Sequence, residues 1–147
     1  MKTTCKLFLA LTALFVSTTL LSCSEKNLTP DQLPDAAQAF IKEHFPESTI
    51  FSVKKDTEIS GITYEVKLKD GTEIDFNKQG EWIKVDCRNA AVPGAIVPAL
   101  IAEYVQTNFP GEIIVEIDKE PFGYEIELGN TLDLRFNSDG QFINQEI

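Results

Sequence analysis

The chain has 147 residues with 13 basic and 23 acidic side chains, and its formal net charge at pH 7 is −10. This length suits one domain or two small ones. The acidic balance excludes a nucleic-acid-binding protein that depends on contacts with the phosphate backbone. Only three cysteines are present, at positions 5, 23 and 87. Two of them fall in or beside an N-terminal signal, so no internal disulfide is expected and a hydrophobic core must hold the fold together.

The N-terminus has the features of a bacterial export signal. Lys2 and Lys6 form a charged start that precedes an apolar run over residues 7–21, which is too short to span a bilayer comfortably. The run ends in LLSC at residues 20–23, which resembles the lipobox of bacterial lipoproteins. That resemblance implies that Cys23 becomes the first mature residue and carries diacylglycerol on its thiol. The alternative is an ordinary secretory signal cut near Ser22, which would leave Cys23 as a free thiol.

A repeat divides the rest of the chain into two similar halves. Phe45-Pro46 recurs as Phe109-Pro110. Because proline disfavours the α conformation in the residue before it, each Phe-Pro step is expected to end a helix. Apolar residues at helical spacing precede each step and predict one buried helix stripe per half. The stripes are Ala37, Phe40, Ile41 and Phe45 in the first half, and Ile101, Tyr104, Val105 and Phe109 in the second.

Segments of alternating polarity follow each helix. YEVKL at 64–68 matches YEIEL at 124–128, and EIDFN at 73–77 matches DLRFN at 133–137. This alternation indicates antiparallel strands with one buried and one polar face. Asp70-Gly71 and the segments NKQG and NSDG are typical of hairpin turns. The predicted strands span 49–56, 61–69, 72–77 and 81–86 in the first half, and 113–119, 122–128, 131–136 and 141–146 in the second.

These elements predict an α+β fold made of a tandem repeat. Each copy is a helix followed by a four-stranded antiparallel sheet, and the two helices pack on one face of the sheet or sheets. One copy alone has little core, so the two must either join their sheets or pack side by side. The predicted organisation is a lipoprotein signal peptide over 1–22, a polar tether over 23–32, the first repeat over 33–87, a linker over 88–97 and the second repeat over 98–147.

The combination of helix, Phe-Pro step, tyrosine-containing hairpin and "FN–Gly–aromatic" turn, repeated behind a lipoprotein signal, resembles the PepSY-like family. That family is described as similar to the β-lactamase inhibitor protein and is typical of lipoproteins of Bacteroidota. The resemblance covers residues 33–147 and implies a protein-binding sheet face rather than an enzyme. It implies a cell-envelope protein, attached to a membrane through lipid on Cys23 and facing the periplasm or the cell exterior. The inhibitor's disulfides and inhibitory loop residues have no counterparts in this chain.

No catalytic, cofactor-binding or metal-binding motif stands out. A lone histidine, His44, cannot form a common zinc site without cysteine ligands. NSDGQ at 137–141 contains part of a calcium-loop pattern but lacks the remaining ligands, so a hairpin turn explains it better. Cys87 could react or pair two chains, but a small core residue is the favoured interpretation. We expect a monomeric, non-enzymatic protein without cofactor or bound metal.

Two aromatic residues are the leading candidates for partner binding. If the strand pattern continues through Ile83 and Val85, Trp82 and Phe142 point away from the core, onto the exposed sheet face. Aromatic anchors often dominate interface energetics. The alternative is that both cover a sheet edge or the seam between the repeats. The charged residues expected to tune selectivity are Glu65, Glu73, Asp75, Glu125, Glu127, Asp133 and Arg135.

The function that follows is non-catalytic binding of an unidentified envelope protein through the exposed sheet face. Such a protein could act in an inhibitor-like way. The alternative is a periplasmic carrier of a small ligand or a cation, held on the acidic strand face.

Overall fold

The computed structural model describes residues 24–146. The predicted signal peptide and the predicted lipid attachment at Cys23 lie outside the described residues. Nine strands form one antiparallel sheet in chain order, and two α-helices accompany them. The elements are β1 Ser24–Leu28, α1 Asp35–His44, β2 Ile50–Glu58, β3 Gly61–Leu68, β4 Glu73–Asn77, β5 Trp82–Asp86, α2 Ala99–Asn108, β6 Ile114–Glu120, β7 Gly123–Leu128, β8 Asp133–Asn137 and β9 Phe142–Glu146.

The α+β class and the eight strands predicted for residues 49–146 are confirmed, with their ends within two residues of the expected positions. Each helix ends where its Phe-Pro step begins. The backbone N–H of Phe45 donates to the carbonyl of Ile41, and Phe109 does the same to Val105. The two halves join directly, since β5 pairs with β6 from Lys84 opposite Asp118 to Asp86 opposite Glu116.

The start of the described chain differs from the prediction. Within the segment 23–32 expected to be a polar tether, Ser24–Leu28 forms strand β1, antiparallel to β2, with Ser24 opposite Thr57 and Leu28 opposite Val53. Pro30–Gln32 of the same segment forms a short 3-10 helix. An ion pair of 2.6 Å joins Glu25 to Lys54 across this pair. The sequence conceals the strand because an edge strand tolerates charged side chains on both faces.

Both helices cover the same face of the sheet. Ala37 and Ile41 of α1 and Ile101 and Val105 of α2 are buried in one continuous hydrophobic cluster. The strands contribute Val53, Val66, Leu68, Ile74, Phe76, Val85, Ile117, Ile126, Leu128, Leu134 and Phe136 to this cluster. Val92, Ile96 and Val97, from the segment between β5 and α2, complete it.

A glycine allows the first helix to approach the sheet closely. Gly80, in the β4–β5 turn, has a φ of +83°. A Cβ added there would lie 2.8 Å from the Cβ of Pro34 and 2.9 Å from the backbone nitrogen of Ala37. Only glycine permits both the backbone conformation and this contact.

Two register shifts change the direction of the aromatic side chains expected to be exposed. Asp75 lies opposite Lys84, but the next residue, Phe76, lies opposite Trp82, so Ile83 is an extra residue in β5. The same shift between β8 and β9 places Phe142 opposite Phe136. A bulge of one residue reverses the alternation of side chains beyond it. The prediction that Trp82 and Phe142 point away from the core is therefore wrong.

Candidate binding face of the sheet

The face without helices carries two rows of polar side chains that cross the sheet. We call the first the mixed row. It is formed by Asn27, Lys54, Glu65, Asp75, Lys84, Asp118, Glu125, Arg135 and Asn144, each opposite the next. The second we call the acidic row. It is formed by Ser52, Lys67, Glu73, Asp86, Glu116, Glu127, Asp133 and Glu146.

The orientation of these rows follows from strand alternation. On β4, Glu73 and Asp75 flank Ile74, and on β7, Glu125 and Glu127 flank Ile126. Both isoleucines are fully buried in the core under the helices. Successive side chains in a strand point to opposite faces, so the four carboxylates lie on the helix-free face.

The mixed row contains ion pairs and two carboxyl groups of raised pKa, Asp75 and Asp118. The Nη2 atom of Arg135 lies 3.1 Å from Glu125 Oε2. Asp75 sits between Glu65 and Lys84. Partial burial and the neighbouring Glu65 charge raise the pKa of the Asp75 carboxyl to about 6, although Lys84 opposes the shift.

The centre of the face is built around Lys84 on β5. Its Nζ lies 2.5 Å from Glu116 Oε1 and 3.5 Å from Asp118 Oδ2. Burial raises the pKa of the Asp118 carboxyl to about 7, with Lys84 opposing and Glu116 adding to the shift. Asp118 Oδ1 is buried and has no hydrogen-bond partner within the described part of the chain. At the centre of the sheet the single positive charge of Lys84 therefore balances only part of the negative charge of Glu116 and Asp118.

The acidic row has unbalanced charge over its second half. At one end Lys67 and Arg88 both donate hydrogen bonds to Glu73. Further along, Glu127 lies between Glu116 and Asp133, both acidic. Partial burial and then the charge of Glu116 raise the pKa of the Glu127 carboxyl. Within residues 24–146 no ion pair involves Glu127 or Asp133, so these two carboxylates face solvent without a cation.

The seven charged residues predicted as binding candidates all lie on this face. Glu65, Asp75, Glu125 and Arg135 belong to the mixed row, and Glu73, Glu127 and Asp133 belong to the acidic row. Their part in binding stays a prediction. The sequence reasoning did not select Lys84, Asp86, Glu116 and Asp118, which occupy the junction of β5 and β6. The alternation of polar and apolar residues along β6 indicated that Glu116 and Asp118 share a face. The pairing of β5 with β6, which brings all four residues together, could not be predicted from the sequence of either half.

Trp82 and Phe142 do not belong to the face. The Trp82 ring centroid lies 6.3 Å from that of Phe40 on α1. Phe142 stacks on Tyr104 of α2, with ring centroids 4.6 Å apart. Trp82 therefore packs α1 against the sheet, and Phe142 does the same for α2. One side of the Trp82 ring also meets a cation, since Lys119 Nζ lies 3.8 Å from its centroid.

Cys87 and the NSDG segment, two further features noted in the sequence, contribute to the fold. Cys87 is buried, and burial raises the pKa of its thiol to about 11, which suppresses the reactive thiolate. The Asn137 side chain accepts hydrogen bonds from the backbone N–H groups of Asp139 and Gln141, so the NSDG segment is a hairpin turn.

Across residues 24–146 no three His, Cys, Asp or Glu side chains are placed to hold a metal ion. None of the helices in that range is long and apolar enough to cross a membrane.

Together these features define a class of small α+β proteins in which one sheet face is covered by two helices and the other is open and acidic. A family described as "Putative beta-lactamase-inhibitor-like, PepSY-like" has a sequence model that matches residues 19–69 and 62–144. The chain belongs to this PepSY-like family.

Solved structures from Bacteroides share the fold. A protein from Bacteroides vulgatus, described as periplasmic and of unknown function, is 32% identical, with a TM-score of 0.82 over 84% of this chain and 100% of its own. A second B. vulgatus periplasmic protein is 34% identical, with a TM-score of 0.80 over 84% of this chain and 97% of its own. A protein from Bacteroides thetaiotaomicron, described as a "putative calcium-regulated periplasmic protein", is 35% identical, with a TM-score of 0.81 over 84% of this chain and 97% of its own. No curated protein sequence matches the chain.

Proposed function

We propose that this chain is a non-catalytic, lipid-anchored envelope protein that binds a basic protein surface through the helix-free face of its sheet. The observation that carries the proposal is the acidic row, in which six carboxylates and one lysine cross seven adjacent strands. The description of the structural relatives as periplasmic supports the location. The LLSC segment supports the lipid anchor. The recurrence of the Phe-Pro step and the same order of one helix and four strands in each half support reading the halves as tandem repeats.

The charge distribution favours a cationic partner. Like charges directly opposite each other on neighbouring strands destabilise a sheet. Glu116, Glu127 and Asp133 form such a series on three consecutive strands. Lysine or arginine side chains of a partner would relieve this repulsion and would also be steered to the face, since complementary charge raises association rates.

A paired set of variants tests this proposal. Glu127→Gln with Asp133→Asn removes two unpaired carboxylates from the face. Glu43→Gln with Glu103→Gln removes the same number of charges from exposed positions on the two helices. In capture experiments with envelope extract, a basic protein should be retained by the wild type and by the helix variant, and lost from the face variant.

Retention should also fall steeply as salt is raised, because the contacts are screened. A protein retained equally by all three forms would contradict the assignment of the face. A neutral or acidic partner lost only from the helix variant would contradict both the face and its charge.

A second candidate is the carriage of a cation or a small ligand on the same carboxylates. The series Glu116, Glu127 and Asp133 favours it, together with the "calcium-regulated" description of the B. thetaiotaomicron relative. The donor set does not fit a calcium cage, because calcium takes six to eight converging oxygens and no group of three acidic ligands converges within residues 24–146. Calcium would then act as a loosely held counterion. A rise in melting temperature with calcium chloride, absent with sodium chloride of equal ionic strength, would support this candidate.

A further inference from the structure

One end of the sheet collects the hairpin turns and the start of the described chain. The sheet is antiparallel throughout and follows chain order, so the β2–β3, β4–β5, β6–β7 and β8–β9 turns all close at the same end. Ser24 lies opposite Thr57, close to the β2–β3 turn, so β1 begins at this end as well. We call it the hairpin end.

The two most exposed large hydrophobic side chains of residues 24–146 lie at the hairpin end. Phe122, in the β6–β7 turn, is 86% exposed, and Ile59, in the β2–β3 turn, is 82% exposed. Ile143, beside the β8–β9 turn, and Leu100, next to Gly140 in that turn, are also exposed. Phe122 and Ile143 line a shallow groove of about 290 Å³.

The opposite end of the sheet has fewer such residues. Phe51, at the start of β2, and Ile113, just before β6, are the large exposed hydrophobic residues there. Neither lies beside the start of β1. They therefore offer matched positions for comparison with Ile59 and Phe122.

The length of free chain before β1 limits how far the sheet can stand from a lipid anchor. A free tether of ten residues over 23–32 would reach about 30 Å. Because β1 is paired from Ser24 onward, a lipid on Cys23 is separated from the sheet by one residue, or about 3.5 Å. The Glu25–Lys54 ion pair also joins the start of β1 to β2.

Ile59 and Phe122, which we call the hydrophobic tips, extend from the sheet at least as far as the start of β1 does. Measured along the strands from the mixed row, Ser24 and Phe122 are each three residues away, and Ile59 is five residues away. At about 3.3 Å per residue, these distances are about 10 Å for Ser24 and Phe122 and about 17 Å for Ile59. Ile59 therefore lies beside the lipidated residue, on the turn of the neighbouring strands, and Phe122 extends from the same end of the sheet farther across its twisted surface.

We propose that the hairpin end rests on the lipid bilayer, with Ile59 and Phe122 inserted at its interface beside the lipid on Cys23. This inference rests on the lipid anchor in the proposed function. Near this end the acidic residues Glu25, Glu58, Glu81, Glu120 and Asp139 outnumber the basic residues Lys26, Lys78 and Lys119. The contact therefore depends on apolar burial and not on attraction to anionic lipid. The sheet then stands upright, and the acidic row faces sideways, open to a partner along the membrane.

Site-specific labelling of the full lipidated chain tests this orientation. Phe122→Cys, Ile59→Cys and the control Phe51→Cys are each produced with the native signal, labelled with bimane and placed in vesicles of phosphatidylethanolamine with a minority of phosphatidylglycerol. Labelling is directed to the new thiol because Cys87 is buried and Cys5 lies in the predicted signal. Nitroxide-labelled lipids should quench the fluorophore at positions 122 and 59 at least about threefold more than at position 51. Added salt should not weaken the quenching, since apolar contacts are not screened and the acidic side chains at this end do not attract the anionic lipid.

The outcomes separate this inference from the proposed function. Quenching at position 122 no greater than at position 51, in a chain shown by mass spectrometry to carry lipid, overturns the membrane contact and leaves the binding face unaffected. A mature chain without lipid overturns the anchor and this orientation together, while the face variants above still report on partner binding. A label at position 122 that is protected by an envelope protein, and not by vesicles, assigns the tips to a protein partner and also overturns the inference.

Discussion

Replacement of Asp75 by asparagine should stabilise the protein at neutral and alkaline pH. Asp75 lies on β4 between Glu65 and Lys84, and partial burial and the Glu65 charge raise the pKa of its carboxyl from 3.8 to about 6. A carboxyl with a higher pKa in the folded than in the unfolded state favours folding while it is protonated. That advantage is present below about pH 4 and is lost as pH rises through about 6.

The size of the effect follows from the pKa shift. At about 1.36 kcal/mol per pKa unit, the shift corresponds to about 3 kcal/mol. The carboxyl is only partly buried, and solvent screening reduces this to about 1 kcal/mol. Asp75→Asn should therefore raise the free energy of unfolding by about 1 kcal/mol at pH 8 and change it little near pH 4.

Urea denaturation between pH 4 and pH 8, followed by the fluorescence of the single tryptophan, measures this difference. Glu73→Gln, two residues away on the same strand and face, is the matched control. Burial raises the pKa of the Glu73 carboxyl, but hydrogen bonds from Lys67 and Arg88 outweigh burial and lower it overall. The control should therefore destabilise the protein at pH 8, by less than about 1 kcal/mol. If Asp75→Asn also destabilises at pH 8, or if its effect does not vary with pH, the electrostatic account of the face is incorrect.

Three further predictions concern the packing beneath the face. Gly123→Ala should lower the free energy of unfolding by about 3–5 kcal/mol, because the new Cβ would lie 1.9 Å from a carbonyl oxygen of β8. The control Gly61→Ala, which places a Cβ with nothing within 4 Å, should lower it by only about 1–2 kcal/mol. Equal losses for the two variants in urea denaturation would argue against the close approach at Gly123. Phe142→Ala should cost about 1–3 kcal/mol through loss of packing on α2, whereas an unchanged midpoint in thermal unfolding would be inconsistent with that contact. Cys87 should resist Ellman's reagent at pH 8 until the protein is unfolded, and rapid reaction of the native protein would show that the thiol is not buried as described.

Much of the secondary structure is determined locally and could be predicted from the sequence. Each Phe-Pro step ends a helix because proline restricts the residue before it, whatever the tertiary surroundings. Alternation along β3, β4, β7 and β8 correctly assigned Glu65, Glu73, Asp75 and Arg135 to the polar face, because the period of a strand is the same in every sheet.

The bulges in β5 and β9 could not be predicted from the local sequence. An extra residue such as Ile83 has no distinctive composition, yet it reverses the direction of Trp82 and sends the ring under α1. Whether a bulge forms depends on the partner strand and on the helix that packs over it, neither of which is local in sequence.

What the sequence by itself determined is the two α-helices, eight of the nine strands, the family and the acidic character of one strand face. Only the tertiary structure decided that Ser24–Leu28 pairs as an edge strand, and that β5 pairs with β6. The second pairing joins the two halves and places Lys84 between Glu116 and Asp118 at the centre of the candidate face. The physical reason is that strand pairing and register link residues far apart in the chain, and the free energy of those contacts depends on the whole packed sheet.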